Sequence, residues 1–232
     1  MAFGAEVRNA AGNMVIDMTY RNLSLQRKQT FSLAARASLT VTQTGAVAPL
    51  MAIQADNYVG MQGMYVSGTS FSWIITAGAT AATGACYIYD KPHASHVSSF
   101  GLAVYDDAGV EIFNSDNKYL RVVSVMDVPW SAYYSGPDYF YETTGATASA
   151  SLPTSNYAVC LSQSRSLVQL INTSNYTYQV TFDGVKTTTT SAFVSQVCTT
   201  SFIAGGSNYF PGVFALSGSG TKPALVIDVT GL

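Results

Sequence analysis

Phe3-Gly4-Ala5-Glu6-Val7-Arg8-Asn9-Ala10-Ala11-Gly12 returns, 97 residues later and without a gap, as Phe100-Gly101-Leu102-Ala103-Val104-Tyr105-Asp106-Asp107-Ala108-Gly109. The match continues with Val15-Ile16-Asp17 against Ile112-Phe113-Asn114, and with Arg21-Asn22-Leu23 against Lys118-Tyr119-Leu120. In the first copy Phe3, Ala5 and Val7 alternate with Gly4, Glu6 and Arg8, the period of a half-buried strand. Asn9-Ala10-Ala11-Gly12 suits a type I turn closed by a glycine bulge, and Met14 to Tyr20 reads as the returning strand. The second copy repeats each part, with Phe100, Leu102 and Val104 expected inward and Asp106-Asp107-Ala108-Gly109 as the turn. The repeat is therefore one β-hairpin used twice.

The rest of the chain agrees with β-structure. Candidate strands lie at Phe31 to Val41, Pro49 to Val59, Gly63 to Trp73 (interrupted by Gly68), Ser72 to Thr76, Cys86 to Asp90 and Tyr119 to Val128. Others lie at Tyr157 to Leu161, Ser166 to Ile171, Tyr176 to Phe182, Ser191 to Cys198 and Leu225 to Val229. Asp183-Gly184 between two such runs predicts a hairpin turn. Short strands at close spacing, without a long helical period, predict an all-β fold of β-sandwich-like modules built from short antiparallel strands. The offset of the repeat places a boundary near residue 97, giving an N-terminal module over 1–97 and a C-terminal module over 98–232. Whether these are separate sandwiches or halves of one is open at this point.

Charged residues make up only 10% of the 232 residues and hydrophobic ones 48%, with 15 Tyr and 11 Phe. An average soluble domain carries roughly 25% charged residues. So sparse a charge fits a surface largely covered by neighbours, because a free monomer keeps charge for solubility. The net charge of −2 and scattered Lys and Arg give no basic face for nucleic acid. The densest basic group, Arg21, Arg27 and Lys28, reads as a solvated strand edge that discourages edge-to-edge pairing. Cys86, Cys160 and Cys198 are few, odd in number and widely spaced, which argues for buried free thiols rather than disulfides or a zinc site. The N-terminus lacks the pattern of a signal peptide, and no apolar run predicts membrane insertion.

The candidates for chemistry are few. Asp138 and Glu142 flank an aromatic loop and could serve as a glycosidase carboxylate pair. Loop solvation or interface contact explains them better. His93 and His96 are the only histidines; two imidazoles without further ligands do not make a metal site. No nucleophile elbow or phosphate loop is present. The chain is expected not to be an enzyme, and to use no cofactor and no metal. The best binding candidate is the loop 129–141, where Trp130, Tyr133, Tyr134, Tyr139 and Tyr141 stand among Gly, Ser and Pro. Such a mixture makes an adaptable contact surface at low entropic cost.

The opening pattern Phe3-Gly4-x-x-Val7-x-Asn9-x-x-Gly12-x-x-Val15-Ile16-Asp17 resembles the N-terminal hairpin of small tail-tip and fibre-associated structural proteins of tailed bacteriophages. The resemblance covers roughly the first 20 residues and returns at Phe100. It implies a virion tail component, made in the host bacterial cytoplasm and assembled without secretion. It brings no catalytic residues. The implied partners are other tail proteins and further copies of the chain in a homo-oligomer, a trimer being favoured, with a host-surface glycan or receptor as a further partner. The alternatives are a carbohydrate- or receptor-binding β-module using residues 129–141 and, further off, a capsule-degrading hydrolase.

Overall fold

A computed structural model describes residues 7–8, 14–16, 22–91, 101–105, 108–129, 148–163, 165–172, 177–203, 213–217 and 221–232. For 7–8, 14–16, 166–172, 177–179, 198–203 and 213–217 it describes the backbone alone.

The described residues form strands and turns, with no helix. In chain order the strands are β1 (Val7–Arg8), β2 (Met14–Ile16), β3 (Ser24–Leu33), β4 (Ser38–Gln43), β5 (Leu50–Ala55), β6 (Val59–Ser67), β7 (Ser70–Ala77), β8 (Ala82–Asp90) and β9 (Ala103–Tyr105). They continue as β10 (Glu111–Asn114), β11 (Val122–Val128), β12 (Ala148–Ser151), β13 (Tyr157–Leu161), β14 (Ser166–Asn172), β15 (Thr177–Thr187), β16 (Ser191–Ile203), β17 (Val213–Ser217) and β18 (Lys222–Asp228).

Both copies of the repeated motif form hairpins, and they share a register. Val7 faces Ile16 and Arg8 faces Met14 across β1–β2. Val104 faces Phe113 and Tyr105 faces Glu111 across β9–β10, the same pairs 97 residues on. Each hairpin skips one residue of its returning strand at the same place, Val15 or Ile112. In the second turn Gly109 takes φ +74°, the left-handed conformation that a glycine-closed turn requires. The bulge breaks strict alternation in the returning strand, where Glu111 and Ile112 are both buried; Leu102, expected inward, is instead 57% exposed, just before β9. Asn114, which replaces Asp17, accepts a hydrogen bond from the Asp116 N–H on its own Oδ1. Past the second hairpin, Tyr119 stacks on Phe113 at 5.1 Å and pairs with Ser24 at the start of β3. The Leu120 N–H donates to the Leu23 carbonyl, so the two equivalent leucines of the repeat meet.

The other strands make two antiparallel sheets. Sheet I runs β11-β18-β13-β5-β8-β3. Sheet II runs β12-β16-β15-β6-β7-β4, with β14 and β17 branching from β15. Strands from both sides of residue 97 lie in each sheet: β13 pairs with β5, and β15 with β6. The stretches before and after that residue thus supply halves of one sandwich.

The main core fills the space between the sheets, with Ile53, Cys86, Ile88, Val159 and Val226 from sheet I against Val41, Val59, Trp73, Ile75 and Val194 from sheet II. Each large aliphatic side chain so buried contributes about 1.5–3 kcal/mol. Sheet I is also covered on its outer face, where Tyr87, Tyr89, Ala158, Cys160 and Ile227 make a second cluster bordered by Leu23, Leu25, Leu120 and Leu232. That explains why Tyr157-Ala158-Val159-Cys160-Leu161 is an unbroken apolar run: every one of its residues is buried, on alternate faces.

The dipeptide Asp183-Gly184 does not turn. β15 runs straight through it, paired with β16 on one side and, at Gly184, with Gly60 of β6 on the other. Two contacts override the local turn preference. Asp183 is buried against an arginine, and a Cβ at Gly184 would lie 2.3 Å from Val197 Cγ2, so only glycine lets the strands approach. The chain turns instead after Thr187, where the Thr188 N–H donates to the Ser191 carbonyl.

Candidate functional site

Trp130, Tyr133, Tyr134, Tyr139 and Tyr141 lie outside the described residues, as do Asp138, Glu142, His93, His96, Asp106 and Asp107. What the structure places is where the aromatic segment leaves and rejoins the fold. It leaves after Pro129, at the end of β11 on the edge of sheet I, and rejoins at Ala148, the start of β12 on the edge of sheet II. Residues 130–147 therefore link the two sheets at their neighbouring edges.

The departure point is fastened by a group that sequence reading missed. Arg165, 1% exposed, donates from Nε to Asp183 Oδ2 at 2.7 Å and from Nη2 to Oδ1 at 2.8 Å. Its remaining donors reach the carbonyls of Val128 at 3.2 Å and Pro129 at 3.3 Å. The Asp183 N–H returns a bond to the Arg165 carbonyl at 3.2 Å. The planar guanidinium thus satisfies a buried carboxylate with one fork and reaches the carbonyls of Val128 and Pro129 with its other donors, a geometry lysine does not offer. Burial pushes the Asp183 carboxyl above the usual aspartate range, and Arg165 pulls it part of the way back. A signal was present in the sequence. Arg165 is the one charged residue between Glu142 and Asp183, in a chain that spends charge sparingly.

The two edges of sheet I differ. On β3, Arg27 and Lys28 are both exposed. Arg27 Nη1 crosses to the Thr42 carbonyl at 2.6 Å, and Lys28 Nζ reaches the Leu232 carbonyl at 2.7 Å while lying 5.3 Å from the Tyr87 ring. Arg21 lies outside the described residues; Arg27 and Lys28, the rest of the basic group expected to guard a strand edge, stand on one. β11, the opposite edge, has β18 as its one strand neighbour among the described residues. It exposes Val122 at 46%, Val123 at 47% and Val125 at 59%, and Asp127 is the only charge within the strand. Open among the described residues, a valine-rich edge with a single charge is a template for another strand.

A second apolar region lies at the far end of β6. Met64, Tyr65 and Val66 are exposed beside the β6–β7 turn. Met64 also lines a cleft of about 610 Å³ between the sheets, with Met51, Met61, Trp73, Leu161 and Leu225 among its walls and no Asp, Glu, Lys, Arg or His lining it. Methionines and an aromatic ring make such a wall adaptable.

The described thiols are placed for packing. Cys86 and Cys160 are free, buried, and on opposite faces of sheet I, and burial pushes both up to about 12. Neither is a thiolate at neutral pH, so neither serves as a nucleophile. Asp228 is buried enough to be raised on that account. Its bonds from Thr230 and Ser155 and the nearby Arg121 outweigh the effect and hold it below the usual range. That cluster ties the end of β18 to the approach of β11, with Arg121 Nη2 at 3.1 Å from Asp228 Oδ2. Among the described residues no group of three or more His, Cys, Asp or Glu is arranged to hold a metal. Comparison with protein-family models, with curated proteins and with solved structures finds no match to this chain.

Proposed function

We propose that this chain is a structural component of a bacteriophage tail, at the tail tip, baseplate or fibre, working through protein–protein assembly. The observation that carries the assembly reading is the edge of β11. Three exposed valines stand on a strand that has one strand neighbour among the described residues, at one side of sheet I, while the other side is guarded by Arg27 and Lys28. A protein that works alone manages both edges, because an unguarded one invites aggregation. The sparse charge of the chain supports the same reading. The assignment to a tail rests on the resemblance of the repeated hairpin to small tail proteins, and contact with the host surface would fall to the aromatic residues 130–141.

The test is co-purification. The chain, expressed with the tail-tip and fibre proteins of the same phage, is expected to leave a sizing column in complex with at least one of them. Val123→Lys with Val125→Lys is expected to abolish that complex while leaving the far-ultraviolet circular dichroism unchanged. A chain that binds no tail protein and is indifferent to both lysines refutes the reading.

A further inference from the structure

We propose that the repetition extends far beyond the hairpin: the sandwich is one unit used twice, each copy a hairpin followed by six strands, and the inner edges of the first copy are shaped to receive the second across a pseudo-two-fold axis. The inference stands apart from the assembly reading above.

Strand order carries it. After β1–β2 come β3, β4, β5, β6, β7 and β8; after β9–β10 come β11, β12, β13, β15, β16 and β18, once β14 and β17 are set aside. In sheet I the first, sixth and third strands of each set run from edge to centre, β3-β8-β5 from one side and β11-β18-β13 from the other. In sheet II the second, fifth and fourth do the same, as β4-β7-β6 and β12-β16-β15. The centre pairs, β5 with β13 and β6 with β15, are antiparallel, as a two-fold axis perpendicular to the sheets requires.

The residues agree with the strands. β8 closes on Asp90 and β18 on Asp228. Each carboxylate accepts a hydrogen bond from the approach to the third strand of its own copy, Asp90 Oδ2 from the Val47 N–H at 2.7 Å and Asp228 Oδ1 from the Ser155 hydroxyl at 3.3 Å. Aligned on these aspartates, Ile88 and Val226 both belong to the main core, and Tyr89 and Ile227 both to the outer cluster of sheet I. Ala52 and Cys160 pair with the equivalent Tyr87 and Leu225. Val159 lies opposite Ile53, so Cys160 lies opposite Ala52, its own counterpart. In the same outer cluster Leu23 and Leu120, counterparts in the sequence repeat, meet through the Leu120 N–H and the Leu23 carbonyl. Equivalent residues that meet one another mark an isologous contact, and these two pairs place its axis.

The copies differ at alternate connections. Residues 44–49 and 152–156 are nearly equal in length, as are 68–69 and 188–190. Residues 34–37, 56–58 and 78–81 of the first copy correspond instead to 129–147, 162–176 and 204–221 of the second. The short three meet at one end of the sandwich, where the Arg36 N–H donates to the Gly78 carbonyl and the Gly78 N–H to the Tyr58 carbonyl, both at 2.9 Å. The long three are joined where they leave or rejoin the sheets: Arg165 bonds the carbonyls of Val128 and Pro129, and the Ser162 N–H donates to the Pro223 carbonyl. β14, within the second of them, takes the flank of β15 from Thr177 to Phe182, where the symmetry would set the far end of β6. β6 pairs with β15 only at Val59 and Gly60, and its Met64, Tyr65 and Val66 stand exposed. The enlarged connections are thus additions to a unit whose first copy closes without them.

The experiment exchanges equivalents within the full chain. Residues 130–147 are replaced by Ala35-Arg36-Ala37, the link from β3 to β4, with Pro129 in the place of Ala34. The far-ultraviolet circular dichroism should keep its shape and the urea midpoint should be no lower than the parent's, because a shorter loop loses less entropy on closing. A second variant, Ala52→Cys with Cys160→Ala, exchanges the residues on the axis. Each change alone should lower the midpoint, one by overpacking and the other by a cavity, and the pair should restore it. A grafted chain that fails to fold or unfolds at lower urea, or an exchanged pair whose losses add, overturns the duplication.

Discussion

Arg165→Met tests whether the buried ion pair fastens the end of β11 or merely accompanies the fold. The substitution keeps most of the side-chain volume but removes four hydrogen bonds. Both Asp183 oxygens lose their Arg165 donors, and so do the carbonyls of Val128 and Pro129. Breaking a buried pair from one side costs about 3–5 kcal/mol, mostly for the uncompensated charge. A domain has only about 5–15 kcal/mol in total, so the variant should lose about a fifth or more of its stability at pH 7. The loss should also depend on pH. Burial already raises the Asp183 carboxyl in the intact pair, and without Arg165 nothing opposes that rise. A carboxyl whose folded pKa lies above its unfolded value binds more protons in the folded state, so its contribution is present at low pH and lost as pH rises. The deficit of the variant should therefore shrink from pH 7 to pH 5, by up to about 1.4 kcal/mol per unit. Urea unfolding at the two pH values, followed by circular dichroism, measures both quantities. Adding Asp183→Leu should recover most of the stability, because an apolar pair of similar volume replaces a buried ion pair at little cost. A single-variant loss under about 1 kcal/mol, or one independent of pH, refutes the argument that Asp183 is a buried charge held by Arg165.

Three further outcomes follow from the packing. Gly184→Ala should destabilise by about 1–3 kcal/mol, and Val197→Ala should partly rescue it, since the clash is with one side-chain methyl; additive losses in a double-mutant cycle would show that the two do not touch. Gly84→Ala should cost more than Gly184→Ala and resist side-chain rescue, because its Cβ would lie 1.9 Å from the Gln54 carbonyl oxygen; unfolding midpoints compare the two. Cys86 and Cys160 should stay unmodified by a thiol reagent at pH 8 in the folded chain and react once it is unfolded, as mass spectrometry of the labelled peptides would show.

What is local was already legible in the order of residues. The repeated hairpin is legible because its strand alternation, turn residues and glycine lie within 15 residues of one another, and the structure returns both copies with the same register and the same bulge. The guarded edge at Arg27 and Lys28 is legible for a similar reason, since paired charges in a chain so poor in them mark a boundary with solvent. The all-β class follows from the same short-range periodicities. Tertiary structure decided what depends on distant partners. Asp183-Gly184 has the chemistry of a turn, and only the approach of Arg165, Val197 and Gly60 from elsewhere in the chain makes it the middle of a strand. That β11 has one strand neighbour among the described residues was invisible for the same reason. Val122-Val123-Ser124-Val125 reads as any valine-rich strand, and its place beside β18 at the end of the sheet is set by the sheet order. Periodicity reports which faces of a strand differ. Which neighbour fills each face, and whether an edge is left without one, is settled by contacts that loop closure brings together across the whole chain.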